Sequence, residues 1–307
     1  MSDPLVTVVI PTYNRLVFLR NAVASVRSQT YENWELVIVD DGSTDDTVNY
    51  IQETDESRLL LVRSQHVGII GAVRNLGARQ ARGSLVAFLD SDDMWKPEKL
   101  EHQLAAMKDS GAAWSYTGYE VVYPTSEVKP ILPRSDEGMD KDRLIRKLLT
   151  TEASAAISTL LVSKQLFDDV GGFSEDESLL FREDHDLVLR LAAREAAATV
   201  RKSLAIVSEH PDRSTKHVWD PFLRSARVYE TFLERSTDSG ARRIAKAMRT
   251  RHLIWSANLD VNSGRSSAAK RKLFGCARSG IRTLRWWKAV LFWLAKSQRR
   301  VSERRRM

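Results

Sequence analysis

The stretch VTVVIPTYNR, residues 6–15, decides the fold. Residues 6–10 are a short β-branched, mostly apolar run closed by Pro11. An uninterrupted run of this kind suits a strand buried on both faces, as in a parallel sheet. The polar cluster Thr12-Tyr13-Asn14 follows at once, and Asn14 is placed to cap a helix over residues 15–28.

Working outward, the same unit repeats. Residues 35–39 (ELVIV) read as a second strand ending at Asp40-Asp41-Gly42-Ser43, with Thr44 or Asp45 capping a helix to about residue 53. Residues 59–62 make a third strand, 71–82 a helix, and 84–89 a fourth strand ending at Asp90. This βαβα rhythm predicts an α/β fold with a doubly wound, mostly parallel sheet and helices on both faces. In such sheets ligands bind beyond the carboxyl ends of the strands. The clusters Thr12-Tyr13-Asn14, Asp40-Asp41 and Asp90-Ser91-Asp92-Asp93 each sit just after a strand.

Past residue 111 the rhythm loosens. Residues 113–123 read as one or two strands, 154–162 as a strand, and 163–170 as a short helix closed by Gly171-Gly172. Residues 184–197 predict a helix with Leu187, Val188 and Leu191 on one face. From about residue 220 the pattern is helical and basic. We therefore expect two halves of one catalytic domain, 1–110 and 111–219, and a helical basic extension, 220–307.

Composition narrows the classes. An apolar fraction of 43% and a charged fraction of 28% fit a globular chain of 307 residues rather than a disordered one. Cys276 is the only cysteine, which excludes an internal disulfide and a cysteine-based zinc site. The first residues lack the basic n-region of a signal peptide, and a cytoplasmic protein is expected. The longest apolar run, residues 289–295, has seven residues, short of the ~20 that span a bilayer. A dehydrogenase would carry a glycine-rich turn after the first strand, where this chain has Pro-Thr-Tyr-Asn. An aspartate-nucleophile phosphatase would place its paired acids after the first strand, not the fourth.

Charge is divided along the chain. Residues 241–307 hold 19 Lys and Arg against Asp260 and Glu303, a net of +17, while residues 1–240 carry −10. Near the end, Arg282, Arg285, Lys288, Lys296, Arg299, Arg300 and Arg304 to Arg306 flank an apolar stretch that includes Trp286, Trp287 and Trp293. A cationic helix bearing Trp and Leu suits an anionic membrane interface. A helical bundle whose apolar stripe packs on the catalytic domain suits the same residues. There is no nucleic-acid-binding motif, and no nucleic-acid partner is expected.

The acids carry the chemistry. Neighbouring carboxylates resist ionising together, so such a cluster needs a cation or donors. Asp90 and Asp92 are two apart in an extended segment and can point to one side. A hard cation such as Mg²⁺ or Mn²⁺ takes one or two carboxylates and completes its shell with phosphate and water. Aspartate-rich surface turns are also common, and the pair alone leaves both readings open.

The motifs together are more specific. VIPTYNR (9–15), VDDGSTD (39–45), RNLGA (74–78) and FLDSDD (88–93) occur in order, followed by Gly171-Gly172-Phe173 and Glu183-Asp184-x-Asp186-Leu187. This series resembles the inverting glycosyltransferases of family 2, whose fold is called GT-A, over roughly residues 5–215. The resemblance implies transfer of a sugar from a nucleotide-sugar, most simply a UDP-sugar, to a hydroxyl of a glycan or lipid-linked acceptor. It implies work in polysaccharide or cell-envelope assembly. It places Pro11 and Tyr13 against the base, Asp41 as acceptor for a base N–H, and Arg74 near the nucleotide. Asp40 would serve structure or the ribose side. Asp90 would stand near ribose or metal, and Asp92 on a divalent metal, Mn²⁺ or Mg²⁺, with Asp93 as an orienting neighbour. Asp184 is the implied general base, Glu183 the second choice, and Asp186 an orienting residue. His210 would approach the metal and Arg213 a phosphate. His66, His102, His185, His217 and His252 show no metal spacing and are assigned to structure or surface. The competing expectation is an inactive binding or scaffold protein of the same fold in a polysaccharide-assembly complex.

Overall fold

A computed structural model describes residues 3–133, 138–213, 219–277 and 284–304, with side chains to residue 296. His217, Arg282, Arg305 and Arg306, and the side chains of Arg299, Arg300 and Arg304, lie outside the described residues. The chain forms two compact units, Met1–Lys216 and His217–Met307.

The first unit is built on one sheet, with strands β1 (Val6–Thr12), β2 (Trp34–Asp40), β3 (Leu59–Arg63), β4 (Leu85–Phe88), β5 (Met94–Trp95), β6 (Trp114–Val122), β7 (Val128–Ile131), β8 (Leu161–Ser163) and β9 (Ala198–Ser208). Their order is β3-β2-β1-β4-β8-β6-β9-β5, with β7 paired to β6. The run β3-β2-β1-β4 is parallel, β8 is antiparallel to both its neighbours, and β6 and β9 are again parallel. Its helices are α1 (Leu16–Arg27), α2 (Thr47–Glu53), α3 (Ile70–Arg79), α4 (Lys99–Ser110), α5 (Lys141–Leu149), α6 (Lys164–Asp169) and α7 (Glu183–Arg194).

All seven residues of β1 and of β2 are buried, as the unbroken apolar runs predict. Each such buried Val or Ile contributes about 1.5–3 kcal/mol. The half-exposed β3 is the edge. Register decides where the site falls. Thr12 pairs with Asp40, and Val9 with Phe88, so the polar clusters after β1, β2 and β4 leave one edge of the sheet together. Helix α3 lies close on this sheet at Gly77. A Cβ there would stand 2.5 Å from Val9 Cγ1 and 2.8 Å from Val39 Cγ2.

Three local expectations are corrected. Asn14 does not cap α1, whose N-cap is Arg15. Asn14 takes a left-handed φ of 51°, and its Oδ1 accepts from Thr44 N at 2.7 Å, clamping the loop after β2. Helix α2 starts later than expected, with Asp46 at the N-cap and Asp45 accepting from Thr47 N at 3.1 Å. The segment read as a strand over 154–162 is a 3₁₀ turn, Ile157–Thr159, followed by the short β8.

The second unit holds α8 (Pro221–Arg235), α9 (Ser239–Asn262), α10 (Ser266–Gly275) and α11 (Leu284–Arg304). Asp220 caps α8 through Leu223 N at 2.9 Å and also accepts from Ser256 Oγ and Lys272 Nζ. The core gathers Ile254, Ala257, Val261, Leu273, Trp286 and Val290. Indole N–H donors are satisfied internally: Trp286 to Leu273 O at 2.9 Å and Trp293 to Ser266 O at 3.1 Å. No helix among the described residues is long and apolar enough to cross a membrane.

Candidate active site

The sheet edge opens into a cleft of about 330 Å³ within the first unit. Pro11, Tyr13, Asp41, Arg74, Asp90 and Asp92 line one part of it, and Glu183, Asp184 and Arg213 another. Asp40, Asp93, Asp186 and His210 stand outside this lining, His210 within 3.0 Å of Asp92.

Asp41 is buried, and the backbone after β3 wraps it. Its Oδ1 accepts from Val67 N at 2.9 Å and Ser64 Oγ at 3.2 Å, and its Oδ2 from Gly68 N at 3.0 Å. His66 Nδ1 lies 2.9 Å from that same Oδ2. The His66 ring stacks on Tyr13, with centroids 4.0 Å apart and planes 19° off parallel. Asp40 is fully buried, and its carboxylate accepts from Ser43 N at 3.2 Å, a structural role in the turn.

Arg74 ties the two walls together. From α3 it donates to Asp90 Oδ1 at 2.5 Å and to Glu183 Oε1 at 2.6 Å. Burial alone would push the guanidinium pKa down, but the Asp90 and Glu183 carboxylates raise it above its ordinary value. Glu183 opens α7, and burial raises its pKa against the pull of Arg74. Asp184 next to it is also raised by burial, again opposed by Arg74. Its Oδ1 accepts from His185 N at 2.6 Å. Asp186 is occupied elsewhere, paired with Arg190 at 2.8 Å, while Arg190 Nη1 donates to Val170 O and Gly172 O. That pair fixes α7 to the Gly171-Gly172 turn. Asn75 seals the other side of the turn, exchanging bonds with Phe173 N and O at 2.9 Å.

The acids after β4 form the one potential metal cluster among the described residues: Asp90, Asp92 and Asp93 offer oxygens within 4.8 Å of one another. Hard oxygen donors at this spacing fit a divalent cation. Asp93 is buried, its Oδ2 accepting from Ser158 Oγ at 2.6 Å and its Oδ1 from Ser208 N at 3.3 Å. Burial first, then the charges of Asp90 and Asp92, push its pKa well up. Asp90 and Asp92 are the half-open pair facing the cleft. Asp92 Oδ2 meets His210 Nε2 at 3.0 Å and Arg15 Nη1 at 3.5 Å. His210 stacks on Phe18, and its buried Nδ1 has no hydrogen-bond partner among the described residues. Arg213 pairs with Glu209 at 3.3 Å at the cleft wall.

Sequence reasoning missed Arg15, His66 and Ser158. Arg15 closes the 9–15 motif and reaches Asp92, His210 and Asp212 O. Ser158 donates to Asp93 and accepts from Asp90 N at 3.2 Å, so it sets the acid loop.

A parallel β3-β2-β1-β4 run with a cleft and an aspartate cluster beyond its strand ends defines a GT-A-type α/β protein. The family model "Glycosyl transferase family 2" matches residues 7–171, more than half of the chain, and the chain belongs to that family. Among known relatives, the UDP-Glc:alpha-D-GlcNAc-diphosphoundecaprenol beta-1,3-glucosyltransferase WfgD of Escherichia coli is 37% identical over 128 residues, 42% of this chain and 51% of that protein. The match thus spans about half the length of that relative. Among solved structures, S. aureus TarS 1–349 in complex with UDP-GlcNAc superposes with a TM-score of 0.72 at 18% identity, covering 95% of this chain and 88% of that one. The mannosyltransferase PcManGT of Pyrobaculum calidifontis, in complex with GDP-Man and Mn²⁺, gives 0.59 at 17% identity, covering 98% and 88%. These two structures share the fold.

Proposed function

We propose that this chain transfers a sugar, with inversion, from a UDP-sugar to a hydroxyl of a lipid-linked glycan acceptor. One observation carries this: acids from the ends of β2 and β4 and from the start of α7 line one cleft, and a single buried arginine joins Asp90 to Glu183 across it. The residues 1–110 form the donor side and 111–219 the acceptor side. WfgD, named for UDP-Glc and a diphosphoundecaprenol-linked acceptor, supports both choices.

Tyr13 and Pro11 take the base, and Asp41 its N–H edge. Arg74 holds Asp90 toward the ribose side, while Arg15 and Arg213 stand near the diphosphate. Asp184 is the general base. It receives the proton of the acceptor hydroxyl as that oxygen bonds to the anomeric carbon and the bond to the diphosphate oxygen breaks. Glu183 is unsuited to this step, because Arg74 holds it as an anchor. A divalent cation on Asp92 and Asp90, with His210 behind them, would supply positive charge against the departing diphosphate; Mn²⁺ or Mg²⁺ suits these ligands. The single cysteine is buried and asks for no oxidising compartment, so we assign the protein to the cytoplasm.

Titration calorimetry with UDP, with and without Mn²⁺, tests the donor site. Wild type should bind more tightly with the ion, and Asp92→Ala should lose that difference. Asp184→Asn should keep UDP binding and lose turnover by about 10²–10⁴-fold. Full activity in Asp184→Asn would remove the base assignment. No binding of any nucleotide by wild type would end the donor reading.

A further inference from the structure

Helix α11 has two apolar faces, and its own unit uses one. At ~100° per residue, Trp286, Ala289, Val290 and Trp293 fall on one side. The first three are buried, and the indole of Trp293 is bonded to Ser266. Leu284, Trp287, Leu291 and Leu294 recur at i, i+3, i+7 and i+10 on another side. They are 70%, 48%, 61% and 41% exposed. Isolated exposed leucines are ordinary, whereas an ordered stripe of large apolar side chains points to something that covers it.

The charge beside the stripe identifies the cover. At the same spacing Lys288 borders the stripe, while Arg285 and Lys296 lie further round the helix on the side of Phe292; all three cations are exposed, and Lys296 Nζ lies 5.9 Å from the ring of Phe292. No acid occurs between Asp260 and Glu303 in the sequence. An apolar stripe with aromatic content, flanked by cations and short of a full span, matches the boundary between headgroups and acyl chains.

We infer that α11 docks the protein on an anionic lipid surface, with Leu284, Trp287, Leu291 and Leu294 seated among the acyl chains, Lys288 at the phosphates, and the cations further round the helix adding attraction to the charged surface. This inference is independent of the sugar-transfer proposal, because it uses no residue of the cleft.

Vesicle flotation of the full-length protein tests it. Vesicles of phosphatidylcholine with phosphatidylglycerol should carry wild type, and vesicles of pure phosphatidylcholine should carry much less. The double variant Leu291→Glu, Leu294→Glu should fall to background. Lys288→Gln should lose roughly fivefold. All variants should keep the wild-type circular dichroism spectrum and UDP affinity. Trp287 emission should shift to the blue with anionic vesicles. Wild type that never floats, or a double variant that floats equally well, overturns the inference. So does a wild-type dimer that the double variant dissociates while vesicle binding is absent, since the stripe would then cover a second copy.

Discussion

Glu183 and Asp184 are adjacent in sequence and differ in what holds them: one is clamped by Arg74, while the other accepts from the amide of His185. Burial raises the Asp184 carboxyl, and a base works only when ionised. Activity should therefore be present above that raised pKa and fall as pH drops through it. The acid limb of the kcat/KM profile should lie above the ordinary aspartate range near 3.9. A limb at or below that range would contradict the role. Asp41, Asp90, Asp92 and Asp184 were legible because each sits in a motif just after a strand or at a helix start. His66 was not, since β3 before it is short and half-exposed and its loop has no periodicity to place a ring on Tyr13. Arg15 was visible in its motif, but its reach to Asp92 and Asp212 is a long-range contact that spacing cannot show.

Among the elements, β1 and β2 announce themselves by apolar runs, whereas β9 does not. Its ATVRKSLAIVS sequence breaks in the middle with exposed Arg201 and Lys202, where the register to β6 also shifts. The turn at 157–159 was misread because Ile157-Ser158-Thr159 lies between apolar residues on both sides, in the run SAAISTLLV. Its conformation is set instead by Ser158 bonding Asp93 and Asp90, and by its carbonyl accepting from Trp95 Nε1 at 2.7 Å. Helix α3 offers a direct test of how close packing positions the site. Gly77→Ala puts a methyl against Val9 and Val39, and overpacking of this kind costs about 1–3 kcal/mol. Urea denaturation followed by circular dichroism should show the midpoint falling with an unchanged slope. Because Arg74 rides on the same helix, UDP affinity should weaken too. An alanine variant of wild-type stability would mean that α3 has room the geometry denies.

At the scale of the molecule, two units with separate cores and opposite charge share one chain. The charge division was legible from composition alone. The partition of α11 into a buried and an exposed face was not, because both faces are equally apolar in sequence. Calorimetry should resolve two transitions, with UDP and Mn²⁺ raising only the one that belongs to the first unit, as a ligand stabilises what it binds. A single transition shifted as a whole would show that the units unfold together. Within the first unit, the Arg74 bridge joins segments more than a hundred residues apart, from α3 to the start of α7. Removing one member of a buried ion pair costs about 3–5 kcal/mol, because the other charge is stranded. Arg74, Asp90 and Glu183 therefore form an indivisible trio. Natural drift or laboratory evolution that reshapes this cleft must leave all three alone or exchange them in concert.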